Sequence, residues 1–203
     1  MKRAFKISLY VVIVLGMVWI GLTLWVQQPG EARLYQRNEN SVRSMWIIYD
    51  PDPIYDLDRQ IAEALADTWA QYPWQVNVAT VAAMPDNVSG AEVFVFIANT
   101  YNWRPDWAVT KAIDRCELTN KKCFAIALGA GSTEDALTHL IERLKTYGAQ
   151  VLDGKSFWLL RPNDEQRMEA DNVPVALDVA RAWMNDHIHK QQLSDSLQRS
   201  TPQ

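Results

Sequence analysis

The segment from Asp50 to Asp56, DPDPIYD, carries three aspartates and two prolines directly after a short apolar run. Carboxylates at alternate positions begin a helix–loop–helix calcium loop, so the segment is a candidate cation site. However, the next ligand position is Ile54, the turn position is Tyr55 instead of glycine, and the twelfth position is Ile61. The spacing therefore argues against that site. Capping of a helix by Asp56, together with a solvated acidic surface, is the better interpretation.

The other side chains capable of chemistry are scattered along the chain. His187 and His189 lie two residues apart on a predicted helix, so they face different directions, and His139 is isolated. No Ser-His-Asp or Cys-His arrangement stands out, and the sequence predicts neither catalytic residues nor a metal site. Cys116 and Cys123 flank the loop CELTNKKC. That spacing is compatible with a small disulfide loop in an oxidising compartment and equally with two separate buried thiols.

Residues 7–26, ISLYVVIVLGMVWIGLTLWV, carry no charge. About 20 apolar residues suffice to cross the hydrocarbon core of a bilayer as a helix. A cleaved signal peptide is the alternative. The run is long for such a signal, and bulky Trp25 and Val26 occupy the place where small residues would mark cleavage. The sequence therefore favours an uncleaved anchor, and hence a single-pass protein of the inner or plasma membrane.

The charge distribution indicates how this anchor is oriented. Lys2, Arg3 and Lys6 contribute three positive charges ahead of the anchor to a formal net charge of −4, so the rest of the chain carries −7. The positive-inside bias predicts a cytoplasmic amino terminus and a soluble domain on the non-cytoplasmic side. An acidic body also argues against nucleic acid as a partner, because phosphates are bound by Lys and Arg.

Beyond the basic tail (1–6) and the anchor (7–26), the sequence divides into three parts. Residues 27–44 are polar and irregular and predict a stalk, residues 45–190 predict one α/β domain, and residues 191–203 predict a polar tail. Apolar runs that alternate with helical patterns predict a parallel sheet covered by helices on both faces. The predicted strands are residues 45–49, 74–81, 92–98, 122–128 and 151–160, and the predicted helices begin near residues 56, 105, 132 and 172.

Ligands of such sheets bind beyond the carboxyl ends of the strands. Three loops are expected there. We call them the acidic loop (residues 50–56), the hairpin loop (residues 99–104, from Asn99 to Arg104) and the glycine loop (residues 129–133).

From Met45 to Ile188 the chain resembles the flavodoxin family. The resemblance implies a doubly wound, five-stranded parallel sheet of order 2-1-3-4-5. It is carried by four stretches: the strand VFVFIA at 93–98 with the aromatic turn and helix that follow it to 115, the strand and glycine loop at 121–131, YGAQV at 147–151, and the first strand and helix, which have the right order and length.

The resemblance also implies a place for flavin mononucleotide (FMN). Tyr101 and Trp103 would stack on the flavin ring, as aromatic side chains of the family do. In full, the residues that the resemblance would bring to the cofactor are Asn99, Thr100, Tyr101, Asn102, Trp103, Gly129, Ala130 and Gly131.

The acidic loop departs from the family pattern, in which serine, threonine and glycine surround the flavin phosphate. Two prolines remove N–H donors, and three aspartates would repel a phosphate dianion. The first hypothesis is therefore a membrane-anchored, non-enzymatic binding or accessory module without tightly bound flavin, with a protein partner at the acidic and hairpin loops. The alternative is a membrane-bound, FMN-dependent electron-transfer protein or oxidoreductase, with the phosphate held by Arg104 or by the glycine loop.

The first hypothesis carries expectations for single residues. Asp56 should be the one aspartate of the acidic loop that matters for stability, as the helix cap. Asp50 and Asp52 should be exposed and nearly neutral for stability, and should act in contacts with a basic partner. Trp103 should be the main apolar anchor of that contact.

Overall fold

The computed structural model describes the backbone of residues 2–200 and the side chains of residues 5–190. Its helices are α1 (Lys2–Val26), α2 (Leu57–Trp69), α3 (Trp107–Asp114), α4 (Glu134–Thr146) and α5 (Asn172–Ser200). Its strands are β1 (Leu34–Arg37), β2 (Arg43–Tyr49), β3 (Trp74–Thr80), β4 (Val93–Tyr101), β5 (Arg104–Pro105), β6 (Lys122–Gly129) and β7 (Gln150–Trp158).

The strands form one sheet in the order β1-β3-β2-β4-β6-β7, with β5 paired to β4. Strands β3, β2, β4, β6 and β7 run parallel, which confirms the predicted order 2-1-3-4-5. The sheet has two strands more than predicted, because β1 and β5 pair antiparallel to β3 and β4. Helices cover both faces, so the fold is a flavodoxin-like, mostly parallel α/β sheet preceded by a long apolar helix.

Strand β1 lies inside residues 27–44, which the sequence analysis assigned to an irregular stalk. Leu34 pairs with Ala79, and Arg37 pairs with Val76, so this segment belongs to the sheet. The prediction missed the strand because it is four residues long and no member is fully buried. A short edge strand of this kind gives too little alternation to be recognised. Only seven residues, 27–33, therefore lie between α1 and the first strand of the sheet.

The core explains why the central strands are almost wholly apolar. Successive side chains of β4 point to opposite faces: Val93, Val95 and Ile97 pack towards α2 and α5, whereas Phe94 and Phe96 pack towards α3 and α4. All five are inaccessible to solvent. A parallel strand buried on both faces requires such a continuous apolar run.

The two cysteines are separate, buried thiols. Cys116 follows α3, Cys123 lies in β6, and both are free. This outcome corresponds to the second of the two alternatives that the spacing allowed.

Helix α1 is exposed along its apolar length. Its stretch Phe5–Val26 is long and apolar enough to cross a membrane, a criterion that a signal sequence also meets. None of that stretch is buried against the rest of the chain, unlike the core helices α2 and α3.

Candidate functional site

The carboxyl ends of β2, β4 and β6 bring the acidic, hairpin and glycine loops together, as the sequence predicts. Between them lies a cavity of about 130 Å³, bordered by members of all three loops, including Asp52, Thr100 and Gly129. Gly129 is required for this close approach. A Cβ at that position would lie 2.9 Å from Cγ2 of Thr133 and 3.3 Å from Cβ of Thr100.

The acidic loop is closed around its own carboxylate. Oδ1 of Asp52 accepts hydrogen bonds from the backbone N–H groups of Ile54, at 2.7 Å, and Tyr55, at 2.9 Å. The prolines at 51 and 53 have no N–H to donate. Oδ2 of Asp52 accepts a 2.6 Å hydrogen bond from the Tyr101 hydroxyl. The donors available for an external anion in this loop are thus already directed at a fixed internal anion.

Asp58, in the first turn of α2, also holds the acidic loop in this conformation. Its carboxylate accepts from the backbone N–H of Asp52 at 2.5 Å and from Nδ2 of Asn99 at 3.1 Å. The Asn99 amide also donates to the carbonyl of Asp50 at 2.9 Å, so it ties β4 to the acidic loop. Asp58 is 1% exposed, and this burial raises the pKa of its carboxyl to about 6.

Asp50 is covered by the segment that follows α1. Its Oδ1 accepts a 3.0 Å hydrogen bond from the backbone N–H of Gly30, and its burial raises the pKa of the carboxyl to about 6. A Cβ on Gly30 would lie 2.8 Å from the ring of Pro51, so only glycine allows the two chain segments to approach this closely. The chain after the apolar helix is therefore docked on the acidic loop.

Two expectations for the acidic loop are wrong. Asp56 holds the N-cap position of α2 but makes no side-chain cap bond, because its carboxylate pairs with the Arg59 guanidinium instead. Asp50 and Asp52 are not exposed charges without partners, because Asp50 is 3% exposed and the partly buried Asp52 carboxylate accepts three hydrogen bonds. The sequence pattern could not show the burial of Asp50, since the covering residue, Gly30, lies 20 positions away in the presumed stalk.

Asp106 is a buried residue that the sequence analysis did not identify. It caps α3 by accepting from the N–H of Val109 at 2.7 Å, and it also accepts from the N–H of Asn99 at 2.9 Å. Burial raises the pKa of its carboxyl to about 8. The sequence analysis predicted that this helix begins near Pro105, but Pro105 belongs to β5 and α3 begins at Trp107. An aspartate before an apolar helical pattern was the signal for the true cap.

The hairpin loop separates the two aromatic side chains that the flavin hypothesis would stack. Tyr101 turns inward to Asp52, whereas Trp103 is 62% exposed. Asn102 and Trp103 adopt positive φ angles of 52° and 61° in the two-residue turn between β4 and β5. Trp103, the glycine loop and Trp19 of α1 border a separate groove of about 230 Å³.

The other residues expected at the cofactor differ in whether their polar side-chain atoms have hydrogen-bond partners. The side-chain amide of Asn99 donates its hydrogen bonds to Asp50 and Asp58, as described above. The hydroxyl of Thr100 is buried and lacks a hydrogen-bond partner, at the edge of the small cavity. In the glycine loop, Thr133 makes no side-chain cap bond, and its hydroxyl instead accepts from Nε1 of Trp158 at 2.8 Å. Thr133 therefore holds the N-cap position of α4 without capping the helix through its side chain.

The histidines lie apart from this site and from one another. His139 is 3.5 Å from Glu142, His189 is 3.5 Å from Tyr72, and Nε2 of His187 is 2.8 Å from a carboxylate oxygen of β7. Among the residues that the structure describes, no group of three or more His, Cys, Asp or Glu side chains is arranged to hold a metal ion.

Comparison with known proteins identifies the fold. No protein-family model matches the chain, and no curated protein matches it. Oxidised flavodoxin 1 from Bacillus cereus is 21% identical, with 71% of this chain and 98% of that chain covered and a TM-score of 0.52.

Two larger or functionally different proteins share the same architecture. The apo form of the NADH:FMN oxidoreductase EMOB is 16% identical, covering 70% of this chain and 88% of that chain with a TM-score of 0.52. The flavodiiron protein from Giardia intestinalis is 17% identical, covering 73% of this chain and 38% of that chain with a TM-score of 0.53. At these identities the likeness shows the flavodoxin-like fold, which hosts more than one activity.

Proposed function

We propose that this protein is a membrane-anchored, flavodoxin-like binding or accessory module that is not an enzyme and holds no tightly bound flavin. The observation that carries the proposal is the position of the Asp52 carboxylate. It receives the N–H groups of Ile54 and Tyr55 and the hydroxyl of Tyr101. In a flavodoxin-like site, the N–H groups of this loop would have to face the flavin phosphate.

The energetics of this loop oppose a bound phosphate. A second anion about 4 Å from Asp52 would be repelled by about 4 kcal/mol per pair of unit charges at an effective dielectric constant of 20. Displacing Asp52 would also strip three hydrogen bonds from a carboxylate. The cavity between the acidic, hairpin and glycine loops, about 130 Å³, lies below the roughly 300–1,000 Å³ of ordinary ligand pockets, and a larger cleft of about 450 Å³ lies on the other side of the acidic loop, against the segment after α1. These features support the proposal that the acidic loop does not hold the phosphate of FMN.

Anchoring is the second part of the proposal. The exposed apolar stretch Phe5–Val26 and the preceding Lys2 and Arg3 support a single span in the inner or plasma membrane, with the domain on the non-cytoplasmic side. Intact mass of the membrane-extracted chain separates an anchor from a cleaved signal. A reporter protein that is active only in the cytoplasm should be inactive when it is fused after residue 203. Loss of residues 1–26, or an active cytoplasmic reporter, would contradict this part.

The flavin content of the purified chain tests the first part. The full-length protein, extracted in a mild detergent, should show no absorbance band near about 450 nm and release no flavin on denaturation. One flavin released per chain would overturn the proposal.

One observation favours the alternative, a membrane-bound FMN-dependent electron-transfer protein or oxidoreductase. The Thr100 hydroxyl is buried without a partner beside the small cavity, and Gly129 lets the two ring-side loops meet there. Such an unsatisfied group is costly and is expected where a ligand, water or ion supplies the bond. One bound flavin per chain would indicate that the flavin ring supplies the missing hydrogen bond of Thr100, and it would favour the alternative function.

A further inference from the structure

The exposed apolar side chains of the folded domain are concentrated at one edge. Outside α1, eight large apolar side chains are exposed in the described part of the chain. One of them, Val42, lies just before β2, at the amino edge of the sheet. The other seven lie at or beside the carboxyl ends of the strands: Leu34, Ile54, Tyr55, Trp103, Trp107, Leu160 and Met168.

These seven residues come from separate parts of the chain. Ile54 and Tyr55 follow β2, Trp103 follows β4, Trp107 begins α3, and Leu160 follows β7. Three of them belong to the acidic and hairpin loops themselves, and the others lie in neighbouring segments of the chain. Single exposed apolar side chains need no explanation, but a group collected on one face marks an interaction surface.

Helix α1 leaves the domain from this same edge without a flexible connection. Gln27, directly after α1, is 7% exposed, and its Oε1 accepts a 2.6 Å hydrogen bond from the backbone N–H of Trp107. Three residues further on, Gly30 is bound to Asp50. If α1 crosses a bilayer, the carboxyl edge of the sheet is therefore held against the surface of that bilayer.

The contacts between α1 and the hairpin loop also indicate how deep in the bilayer the carboxyl edge of the sheet would lie. Nδ2 of Asn102 donates to Oγ1 of Thr23 at 3.3 Å, and Trp19 borders the same groove as Trp103. At 1.5 Å per residue, Thr23 and Trp19 lie about 5 Å and about 10 Å from Val26 along the helix. The headgroup layer on each side of the hydrocarbon core is about 5–8 Å thick. The hairpin loop therefore lies beside the last two turns of α1, where the helix passes from the hydrocarbon core into the headgroup layer.

Resting on the proposed membrane anchor, we propose that the carboxyl edge of the sheet is a lipid-docking surface, with its seven apolar side chains in the headgroup layer of the bilayer. Tryptophan and tyrosine favour that layer because their rings are amphipathic. Several nearby carboxylates are buried or paired. Asp50 is buried and Asp52 is bonded to Tyr101, and the carboxylates paired with arginine are Asp56 with Arg59, Glu31 with Arg33, Glu134 with Arg161 and Asp164 with Arg167. The edge that binds ligands in other open α/β sheets would here face lipid.

Site-directed nitroxide labelling of the full chain in phosphatidylcholine vesicles tests this surface. Ile54→Cys and Leu160→Cys report on the edge, and both leave Trp103 in place. Val42→Cys is the matched exposed control at the opposite end, and Leu15→Cys reports on α1. The unsubstituted chain, whose Cys116 and Cys123 are buried, gives the labelling background. The readout is the collision ratio of the label with apolar oxygen and with a water-soluble nickel complex.

The expected result is an oxygen-to-nickel ratio several-fold higher at Ile54 and Leu160 than at Val42, and highest at Leu15. A lipid-exposed Leu15 with edge labels as aqueous as Val42 would overturn lipid docking and leave the anchor intact. An aqueous Leu15 would instead overturn the anchor, and lipid docking with it. Edge labels that are aqueous in pure vesicles but shielded in native membranes would show a protein partner on this edge and would also overturn the proposal.

Discussion

The acidic loop and the hairpin loop border the same small cavity, but among their described residues only the hairpin loop has a buried side-chain polar group without a partner. In the acidic loop, Asp52 and Asp58 use up the neighbouring N–H groups, and Gly30 covers Asp50. In the hairpin loop, the Thr100 hydroxyl has no partner, and Trp103 faces outward. The sheet edge therefore keeps its shape while one of its loops is closed to an external anion. Topology depends on the apolar core, whereas anion binding depends on a few N–H groups.

The largest expected effect is loss of the Asn99 side chain, because it holds the closed loop to β4. Asn99→Ala removes the donor to the Asp50 carbonyl and to the Asp58 carboxylate, and leaves both buried with fewer partners. We expect the free energy of unfolding to fall by about 2–3 kcal/mol. Denaturant unfolding of the detergent-solubilised chain measures it. A loss below about 0.5 kcal/mol would mean that these hydrogen bonds do not stabilise the loop.

A comparable but smaller loss is expected from Gly30→Ala. The new methyl group would collide with the Pro51 ring, whereas a Cβ at Gly90 meets no atom within 4 Å. Gly30→Ala should therefore lower the free energy of unfolding by about 1–3 kcal/mol, and the matched control Gly90→Ala should leave it unchanged or slightly raised. Equal melting temperatures for the two variants would show that the segment after α1 is not docked on the acidic loop.

The pH dependence of stability tests the buried carboxylates. Burial raises the pKa of both Asp50 and Asp58 to about 6, so the folded chain binds more protons than the unfolded chain between about pH 4 and pH 6. Their protonation stabilises the fold at low pH, and that contribution is lost as the pH rises to about 6. Asp106, with its pKa raised to about 8, extends the decline to higher pH.

Asp50→Asn sharpens that measurement. It keeps an oxygen to accept from Gly30 but cannot ionise. We expect the variant to lose less stability than the wild type between pH 4 and pH 7, by on the order of 1–2 kcal/mol, in thermal melts across that range. Parallel pH profiles for the two proteins would contradict the burial of Asp50.

The smallest expected effect is that of Thr100→Val. Its hydroxyl makes no hydrogen bond in the fold, so replacing it with a methyl group of similar shape should change the free energy of unfolding by less than about 0.5 kcal/mol. A loss as large as that of Asn99→Ala would show that the hydroxyl is satisfied, by water or by a bound ligand. The contrast between the two loops would then fail.

The parallel sheet could be predicted from the sequence because its strands are long apolar runs, as in 93–98 and 122–128. The loops that meet at its carboxyl edge followed from topology. The burial of Asp50 could not be predicted, because it depends on Gly30, which lies 20 positions away in the segment assigned to a stalk. The pairing of Asp56 with Arg59 in place of a cap was likewise invisible, since a capping aspartate and a salt-bridged one have the same sequence signature.

The most direct test of the closed acidic loop compares FMN with riboflavin, which is the same molecule without the phosphate. Both are titrated into the purified full-length chain, and quenching of flavin fluorescence is followed. Because Asp52 already occupies the N–H groups of Ile54 and Tyr55, the phosphate should add nothing. The predicted result is that FMN binds no more tightly than riboflavin. Saturable FMN binding tenfold or more tighter than that of riboflavin, about 1.4 kcal/mol, would contradict the account.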